Sequence, residues 1–239
     1  ENEVLRPEAG WIELFEPSPE QSFYYPLTLA SFRMDRAVAA ALPKALAKQG
    51  VEVVRMMPLY QAVDRERYGL ARCDTEIHIP LGQSWYACSV WMQRFGGVTT
   101  YFIHSPEMFG RTGLYGDNGH GYADNFERFL LFQKAVVKLV DEWALRPDVV
   151  HCNDWQTALV PMLLYHGIDG RFRDGREKTL LTVHNLAHHG WAPAEKFYLT
   201  ALPPSCYTMH TLEFYGEINC LKGGLVGATA INTVSPTYA

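Results

Sequence analysis

The sequence predicts an α/β fold: a doubly wound, mostly parallel β-sheet with a β-hairpin insertion, in one domain over residues 1–239. Strand-like apolar runs alternate with helix-forming segments along the chain, which is typical of a parallel sheet covered by helices. Two of these runs, DVVH and LLTVH, stop abruptly at polar side chains. Functional groups of open α/β sheets collect where parallel strands end, so the two endings indicate one cleft.

The first part of the chain predicts a βαβ unit followed by a hairpin. A first strand is expected at GWIELFE (Gly10 to Glu16), and strong helix formers fill Asp35 to Lys48 before a helix stop at Gly50. A second buried strand follows at Val51 to Tyr60. Rough alternation from Thr75 to Val90 then predicts an antiparallel hairpin.

The rest of the chain continues the alternation of strands and helices. GGVTTYFIHSP predicts a strand, and Tyr122 to Trp143 predicts a long amphipathic helix. The strand DVVH, the helix WQTALVPMLLYHG, the strand LLTVH and the closing strand-like run AINTVS complete the expected order. The whole pattern therefore favours successive βα units over an all-α or all-β fold.

Composition limits the classes of function. Hydrophobic residues make up 48% of the chain and charged residues 20%, as in ordinary globular proteins, and the net charge is −5 without a basic stripe. No nucleic-acid partner, no membrane segment and no secretory signal are therefore expected. Five scattered cysteines without a CxxC pair predict a reduced, cytoplasmic protein. Cys152, directly after a strand, is either a reactive thiol or a small buried filler.

Asp154 and His184 are the candidates for chemistry, because they end two successive predicted strands. Neighbouring parallel strands would bring the two endings side by side. Asp154 could instead cap the following helix, and a histidine at a strand end is often purely structural. Trp155 offers a flat apolar face that suits either the core or a stacking platform for a ligand.

Other chemistries fit the sequence less well. His184, His188 and His189 suggest a zinc site, but no HExxH pattern accompanies them, so no metal is predicted. The chain has neither a glycine-rich phosphate loop of the GxGxxG or P-loop type nor the GxSxG motif of a serine hydrolase. The pair Gly223-Gly224 is interpreted as a place of close packing near a helix end.

The order of motifs resembles the N-terminal half of bacterial glycogen synthases and plant starch synthases. The matching segments run from about Ala41 to the C-terminus, and their combination is highly specific: ALPKALAKQGVEVVRMMPLY, GYADNFERFLLF, RPDVVHCNDWQTALVP, LLTVHNLAHHG, LEFYGEINCLKGGL and INTVSPTYA. The resemblance implies one half of a GT-B glycosyltransferase, in which two Rossmann-like domains face each other across a cleft. It implies a retaining enzyme that transfers glucose from ADP-glucose to an α-1,4-glucan, without a cofactor.

The same resemblance assigns roles to individual residues. It implies that His184 and Asp154 lie at the reaction centre. The residues that it places along the substrate cleft are Asn185, Trp155, Gln156 and Tyr122. This half of such an enzyme carries the acceptor glucan, while the other half holds most of the nucleotide sugar.

The sequence also departs from the family pattern. Family members carry a Lys-x-Gly-Gly loop for the donor phosphates after the first strand, but no lysine or glycine lies between Leu27 and Leu42. Arg33 or Arg36 could supply the positive charge there. His188 and His189 replace an expected tyrosine and glutamine. Because the nucleotide-binding half is not within these 239 residues, the isolated chain is expected not to transfer glucose. A non-catalytic, glucan-binding or regulatory descendant remains the alternative.

Overall fold

The computed structural model describes residues 43–145, 147–169 and 178–234. Within them the chain forms two compact units: the first takes residues 43–75 and 89–122, and the second takes residues 76–88 and the described residues from 123 onward. The predicted first strand and the predicted loop with Arg33 and Arg36 lie outside the described residues. Residues 43–48 are helical, as expected for the end of the predicted helix.

A four-stranded sheet of order β1-β4-β3-β2 follows that helix. Its strands are β1 (Val53–Pro58), β2 (Ala71–Leu81), β3 (Ser84–Phe95) and β4 (Val98–His104). β1 and β4 pair in parallel, whereas β3 and β4 are antiparallel. The hairpin β2–β3 confirms the predicted insertion and is longer than predicted. Residues 76–88 of this hairpin belong to the second unit.

Short elements complete the first unit. They are the four-residue helix α1 (Pro106–Phe109) and the two-residue strands β5 (Gly116–Asp117) and β6 (His120–Gly121). The first unit buries an apolar cluster in which the rings of Tyr60 and Phe109 meet edge to face, with centroids 5.7 Å apart. Tyr122 is the last residue of this unit.

The second unit contains a parallel sheet of order β12-β8-β7. Its strands are β7 (Val149–Asn153), β8 (Lys178–Val183) and β12 (Ala230–Thr233). Both pairings are parallel, and the register places Asn153 beside Thr182 and Thr182 beside Asn232. The parallel βα pattern predicted from the sequence is thus confirmed for these strands.

Helices and short 3₁₀ turns connect and cover these strands. The helices are α2 (Asn125–Glu142), α3 (Val160–His166) and α4 (Cys220–Gly227), and the 3₁₀ segments are Trp155–Thr157, Ala194–Thr200 and Pro204–Cys206. A small antiparallel sheet of order β10-β11-β9 is formed by β9 (Trp191–Pro193), β10 (Glu213–Phe214) and β11 (Glu217–Asn219). The predicted single helix after Asp154 is therefore a 3₁₀ turn followed by α3.

Helix α2 supports the region around the candidate site. Most of its residues are buried, and the buried side chains of Gln133 and Lys134 bond to the backbone of neighbouring segments. Gln133 accepts a 2.6 Å hydrogen bond from the Leu159 amide, and Lys134 Nζ donates to the carbonyls of Pro80 (2.9 Å) and Leu199 (2.7 Å). These bonds satisfy polar groups that would otherwise be costly to bury.

Close packing of α4 explains the glycine pair. A Cβ on Gly224 would lie 2.7 Å from the carbonyl oxygen of Ala158, and a Cβ on Gly223 would collide with Leu212. The interpretation of Gly223-Gly224 as a close-packing pair is confirmed. Among the described residues, no helix combines the length and apolarity needed to cross a membrane.

Candidate active site at the ends of strands β7 and β8

Asp154 and His184 meet where β7 and β8 end, as their positions predict. The carboxylate oxygen Oδ2 of Asp154 lies 2.9 Å from Nδ1 of His184. Oδ1 accepts the backbone amides of His184 at 2.7 Å and of Asn185 at 3.4 Å. The Asp154 amide in turn donates to the Thr182 carbonyl at 2.9 Å. Hydrogen bonds thus join the ends of β7 and β8.

The Asp154 backbone adopts a conformation that favours glycine. Its φ is 56° and its ψ is −172°, a region that costs a side-chain-bearing residue on the order of 1–3 kcal/mol. The hydrogen bonds to β8 hold the residue in this conformation. Strain of this kind persists where the surroundings over-determine it, and it clusters at functional sites.

The alternative in which Asp154 caps the following helix is wrong. Asp154 occupies the cap position of the 3₁₀ turn, but within the described chain its side chain makes no capping hydrogen bond. The physical reason is competition: two amides and an imidazole at the end of β8 lie within reach of the carboxylate. A charged acceptor that gains three donors there forms stronger bonds than a single cap would provide.

The bonds to Asp154 fix the orientation of the His184 ring. Its side chain is only 4% exposed, while that of Asp154 is 19% exposed. With Nδ1 donating to the carboxylate, the neutral imidazole carries its lone pair on Nε2. A carboxylate behind an imidazole sets the tautomer and stabilises the protonated ring. The arrangement can therefore accept or relay a proton, or bind a hydroxyl group, at Nε2.

His151 extends the site along β7 and was not among the residues predicted from the sequence. Its Nε2 lies 2.6 Å from the Thr182 hydroxyl, which donates to Oδ1 of Asn232 at 2.6 Å. Burial lowers the pKa of His151, and the nearby His184 lowers it further. A polar side chain inside an otherwise apolar strand was the available signal, but only the strand register aligns its partners.

Trp155 and Gln156 follow Asp154 in the 3₁₀ turn and are both half-buried. The Trp155 ring meets Phe129 edge-on, with centroids 5.0 Å apart, and packs so closely over Gly190 that a Cβ there would collide with it. These contacts match the core alternative for Trp155. Its role in substrate binding stays a prediction, as does that of Gln156.

Asn185 and Tyr122, two residues that the resemblance places along the substrate cleft, lie in different parts of the chain. Asn185 Oδ1 accepts the Ala187 amide at 2.9 Å, which shapes the loop after β8. Tyr122 belongs to the first unit, where its hydroxyl accepts the Gly113 amide at 3.2 Å and the Arg111 guanidinium lies 4.9 Å from its ring centroid. Their expected contact with substrate remains a prediction.

The geometry gives no support to a metal or thiol site. Among the residues that the structure describes, no three His, Cys, Asp or Glu side chains are grouped to hold a metal ion. His189 instead lies 2.8 Å from the Asn219 amide nitrogen and stacks on Trp191. Cys152 is 2% exposed, and burial raises the pKa of its thiol to about 12, so it is a buried filler and not a reactive thiol.

Comparison with known proteins agrees with this geometry. The starch synthase catalytic domain family matches residues 37–239. Glycogen synthase from Geotalea daltonii is 36% identical over 201 residues, which are 84% of this chain and 42% of that protein. Glycogen synthase from Aquifex aeolicus is 39% identical over 198 residues, covering 83% of this chain and 40% of its own length. The chain thus spans about two fifths of these relatives.

A solved structure is also similar to this chain. The catalytic domain of Starch Synthase IV from Arabidopsis thaliana, bound to ADP and acarbose, superposes with a TM-score of 0.71 at 26% identity, covering 85% of this chain and 42% of that one. Fold and site together define an α/β protein with a hydrogen-bonded Asp154–His184 pair at the carboxyl ends of parallel strands, the usual place for an α/β active site. The chain belongs to the starch synthase catalytic domain family.

Proposed function

We propose that this chain is the acceptor-side catalytic domain of a retaining glucosyltransferase that extends an α-1,4-glucan from ADP-glucose. The observation that carries the proposal is the bonded pair Asp154 and His184 at the ends of β7 and β8. The family relationship supports the reaction class. The ADP and acarbose in the Arabidopsis starch synthase structure support a nucleotide donor and a glucan acceptor.

In the proposed mechanism, His184 presents Nε2 to a hydroxyl of the transferred glucose and so positions the sugar. Asp154 holds the imidazole and places negative charge close to the reacting carbon. In the transfer, the bond between glucose C1 and the ADP phosphate breaks, a bond forms from C1 to the acceptor hydroxyl, and the proton of that hydroxyl leaves with the ADP phosphate. The reaction passes through an oxocarbenium-like state, which oriented hydrogen bonds and nearby charge stabilise more effectively than a strong base does. The strained backbone of Asp154 preorganises this pair before substrate arrives.

We further propose that the sheets described above belong to the Rossmann-like N-terminal half of a GT-B enzyme. In this arrangement Gln156 and Asn185 line the acceptor side, and the nucleotide sugar is shared with a second domain. Arg33 and Arg36 stay candidates for contact with the donor phosphates. Donor and acceptor are held in register by the closing of such a cleft, which supplies proximity.

The test is transfer of labelled glucose from ADP-glucose to glycogen by the full-length protein. We expect Asp154→Asn and His184→Ala to lower kcat by roughly 100-fold or more, the range of a lost acid–base or orienting group. Asp148→Asn, on an exposed aspartate just before β7, is the matched control and should leave kcat unchanged. NMR of the product linkage checks that the α configuration is retained.

Two results would contradict the proposal. Full activity of Asp154→Asn would remove the pair from the reaction centre. Glucan binding by the full-length protein without transfer from any nucleotide sugar would favour the non-catalytic alternative. The same assay on the 239-residue chain alone tests the prediction that it is inactive by itself.

A further inference from the structure

Four aromatic side chains form a continuous surface row on the small antiparallel sheet, here named the aromatic stripe: His189, Trp191, Phe214 and Tyr215. His189 and Trp191 are stacked, with centroids 5.1 Å apart and planes inclined by 9°. Trp191 and Phe214 follow at 5.5 Å, and Phe214 and Tyr215 at 4.6 Å. The rings therefore touch one another in sequence across β9 and the hairpin β10–β11.

The stripe is open to solvent at two of its members. Trp191 is 43% exposed and Tyr215 is 89% exposed. Aromatic rings contribute most to folding when they are buried, so Tyr215 adds little to the core. A row of exposed rings of this kind is typical of a recognition surface.

The backbone at Tyr215 gives independent evidence that its side chain has a role. Tyr215 (φ 52°) and Gly216 (φ 82°) are the two loop residues between β10 and β11, and both have positive φ. A two-residue hairpin loop of this kind favours asparagine, aspartate or glycine at its first position. Tyrosine is therefore a strained choice, and the turn is held by a 2.7 Å bond from the Gly216 amide to Glu213 Oε1.

Tyr207, directly after the 3₁₀ segment Pro204–Cys206, reinforces the same turn. The hydroxyl of Tyr207 donates to the carbonyl of Gly216 at 3.1 Å. Several contacts thus fix a loop whose conformation the Tyr215 side chain disfavours. A positive φ at a tyrosine whose side chain is mostly exposed points to a functional role for that side chain.

The stripe is continuous with the proposed reaction centre. Its first member lies five positions after His184, and the Leu221 amide donates to the His189 carbonyl at 2.9 Å. Gly190, between His189 and Trp191, packs directly on Trp155, the residue after Asp154. The segment from His184 to Trp191 therefore connects the end of β8 to the start of the aromatic stripe.

The charges beside the stripe disfavour an anionic ligand. Glu213 and Glu217 lie on β10 and β11, and the Nζ of Lys222 is 5.4 Å from the Phe214 centroid. Asn219 Oδ1 accepts the Lys222 amide, so the NH₂ group of Asn219 donates to Nδ1 of His189. Phosphate-rich ligands would meet net negative charge here.

We propose that the aromatic stripe binds an α-glucan chain and leads it toward Asp154 and His184; this rests on the proposed function. The apolar C–H faces of successive glucose rings lie on the exposed rings, while the sugar hydroxyls remain toward water and toward the polar side chains alongside. His189 stands where the family pattern predicts glutamine, and its imidazole is the first ring of the stripe.

The test is the affinity of the full-length protein for glycogen, measured by retardation in native gels containing glycogen, and for maltoheptaose by calorimetry. We expect Trp191→Ala and Tyr215→Asn each to weaken binding roughly three- to tenfold, the value of one aromatic contact. Tyr215→Asn should also unfold at an equal or higher temperature, because asparagine suits the turn. Trp85→Ala, on an exposed tryptophan of hairpin β2–β3, is the matched control.

The outcomes separate this inference from the proposed function. Unchanged glycogen affinity in both variants, with normal glucosyl transfer, would contradict glucan binding by the stripe and leave the proposed function intact. Unchanged glycogen affinity with a lower unfolding temperature for Trp191→Ala would show that the stripe stabilises the fold and does not bind glucan. This result would also contradict the inference. Weakened glycogen binding in a protein that transfers no glucose would support the stripe and contradict the proposed function.

Discussion

Oδ1 of Asp154 accepts the backbone amide of His184 while Oδ2 bonds its imidazole, so one carboxylate fixes both the chain and the ring of a residue thirty positions away. This pair of hydrogen bonds joins the ends of β7 and β8 and fixes the orientation of the His184 side chain. It also explains why Asp154 keeps a backbone conformation that a glycine would adopt without strain.

A first prediction concerns that strain. We expect Asp154→Gly to be more stable than Asp154→Ala by about 1–2 kcal/mol, because glycine adopts φ near 56° without a clash. Both variants should lose transfer activity, since neither holds His184. Urea denaturation of the two variants measures the difference. Equal stability would show that the positive φ is not strained in solution.

A second prediction concerns the buried Lys134. It is 1% exposed, and burial lowers its pKa from 10.5 to about 8, although Asp169 acts in the opposite direction. Between pH 8 and 10.5 the unfolded chain holds a proton that the folded chain has released. The free energy of unfolding should therefore rise with pH in this window, by about 1 kcal/mol per pH unit, and this contribution is lost as the pH falls through 8.

The rise is measured by urea denaturation at pH 7.5, 9 and 10, comparing the wild type with Lys134→Met, which lacks the titrating group. Lys138→Met is the matched control, because Lys138 lies on the same helix, is partly exposed and pairs with Glu142 at 3.2 Å. The control should follow the wild-type pH profile. Parallel profiles for the wild type and Lys134→Met would contradict a lowered pKa.

A third prediction concerns cysteine reactivity. Burial raises the pKa of both Cys152 and Cys220 to about 12, so neither thiol ionises at neutral pH. Cys73 is the most accessible of the five cysteines and should react first with iodoacetamide in the native state. Mass spectrometry of partially labelled protein gives the order. Early labelling of Cys152 would restore the reactive-thiol alternative.

A fourth prediction concerns the glycine pair in α4. Gly224→Ala should lower the free energy of unfolding by about 1–3 kcal/mol, because the new Cβ would lie 2.7 Å from a backbone oxygen that cannot rotate away. Gly223→Ala should cost less, since the Leu212 side chain that it meets can move. Val226→Ala, half exposed on the same helix, is the control. The reverse ranking would contradict this packing.

The order of the elements could be predicted from the chain because it depends on local pattern. Apolar runs predict the strands β1, β4, β7 and β8, and helix-forming segments predict the helices α2 and α3. The polar endings after DVVH and LLTVH correctly indicated a shared site. The hairpin β2–β3 was also recognised, although its strands extend further than the alternation suggested.

Contacts between distant segments could not be predicted in the same way. Asp154 was expected to serve a local cap as readily as a distant partner, and only the positions of the strands show that it bonds to His184. His151 was missed because its partners, Thr182 and Asn232, lie on strands 31 residues and more away in sequence.

The sequence by itself determined the α/β class, the family and the residues at the two strand ends, because hydrophobic period and motif order are local properties of a chain. Only the tertiary structure decided which groups those residues meet. The parallel register of β7 and β8 turned Asp154 from a possible cap into the acceptor that fixes His184. In the same way, the pairing of β9 and β11 joined rings from two segments into the aromatic stripe.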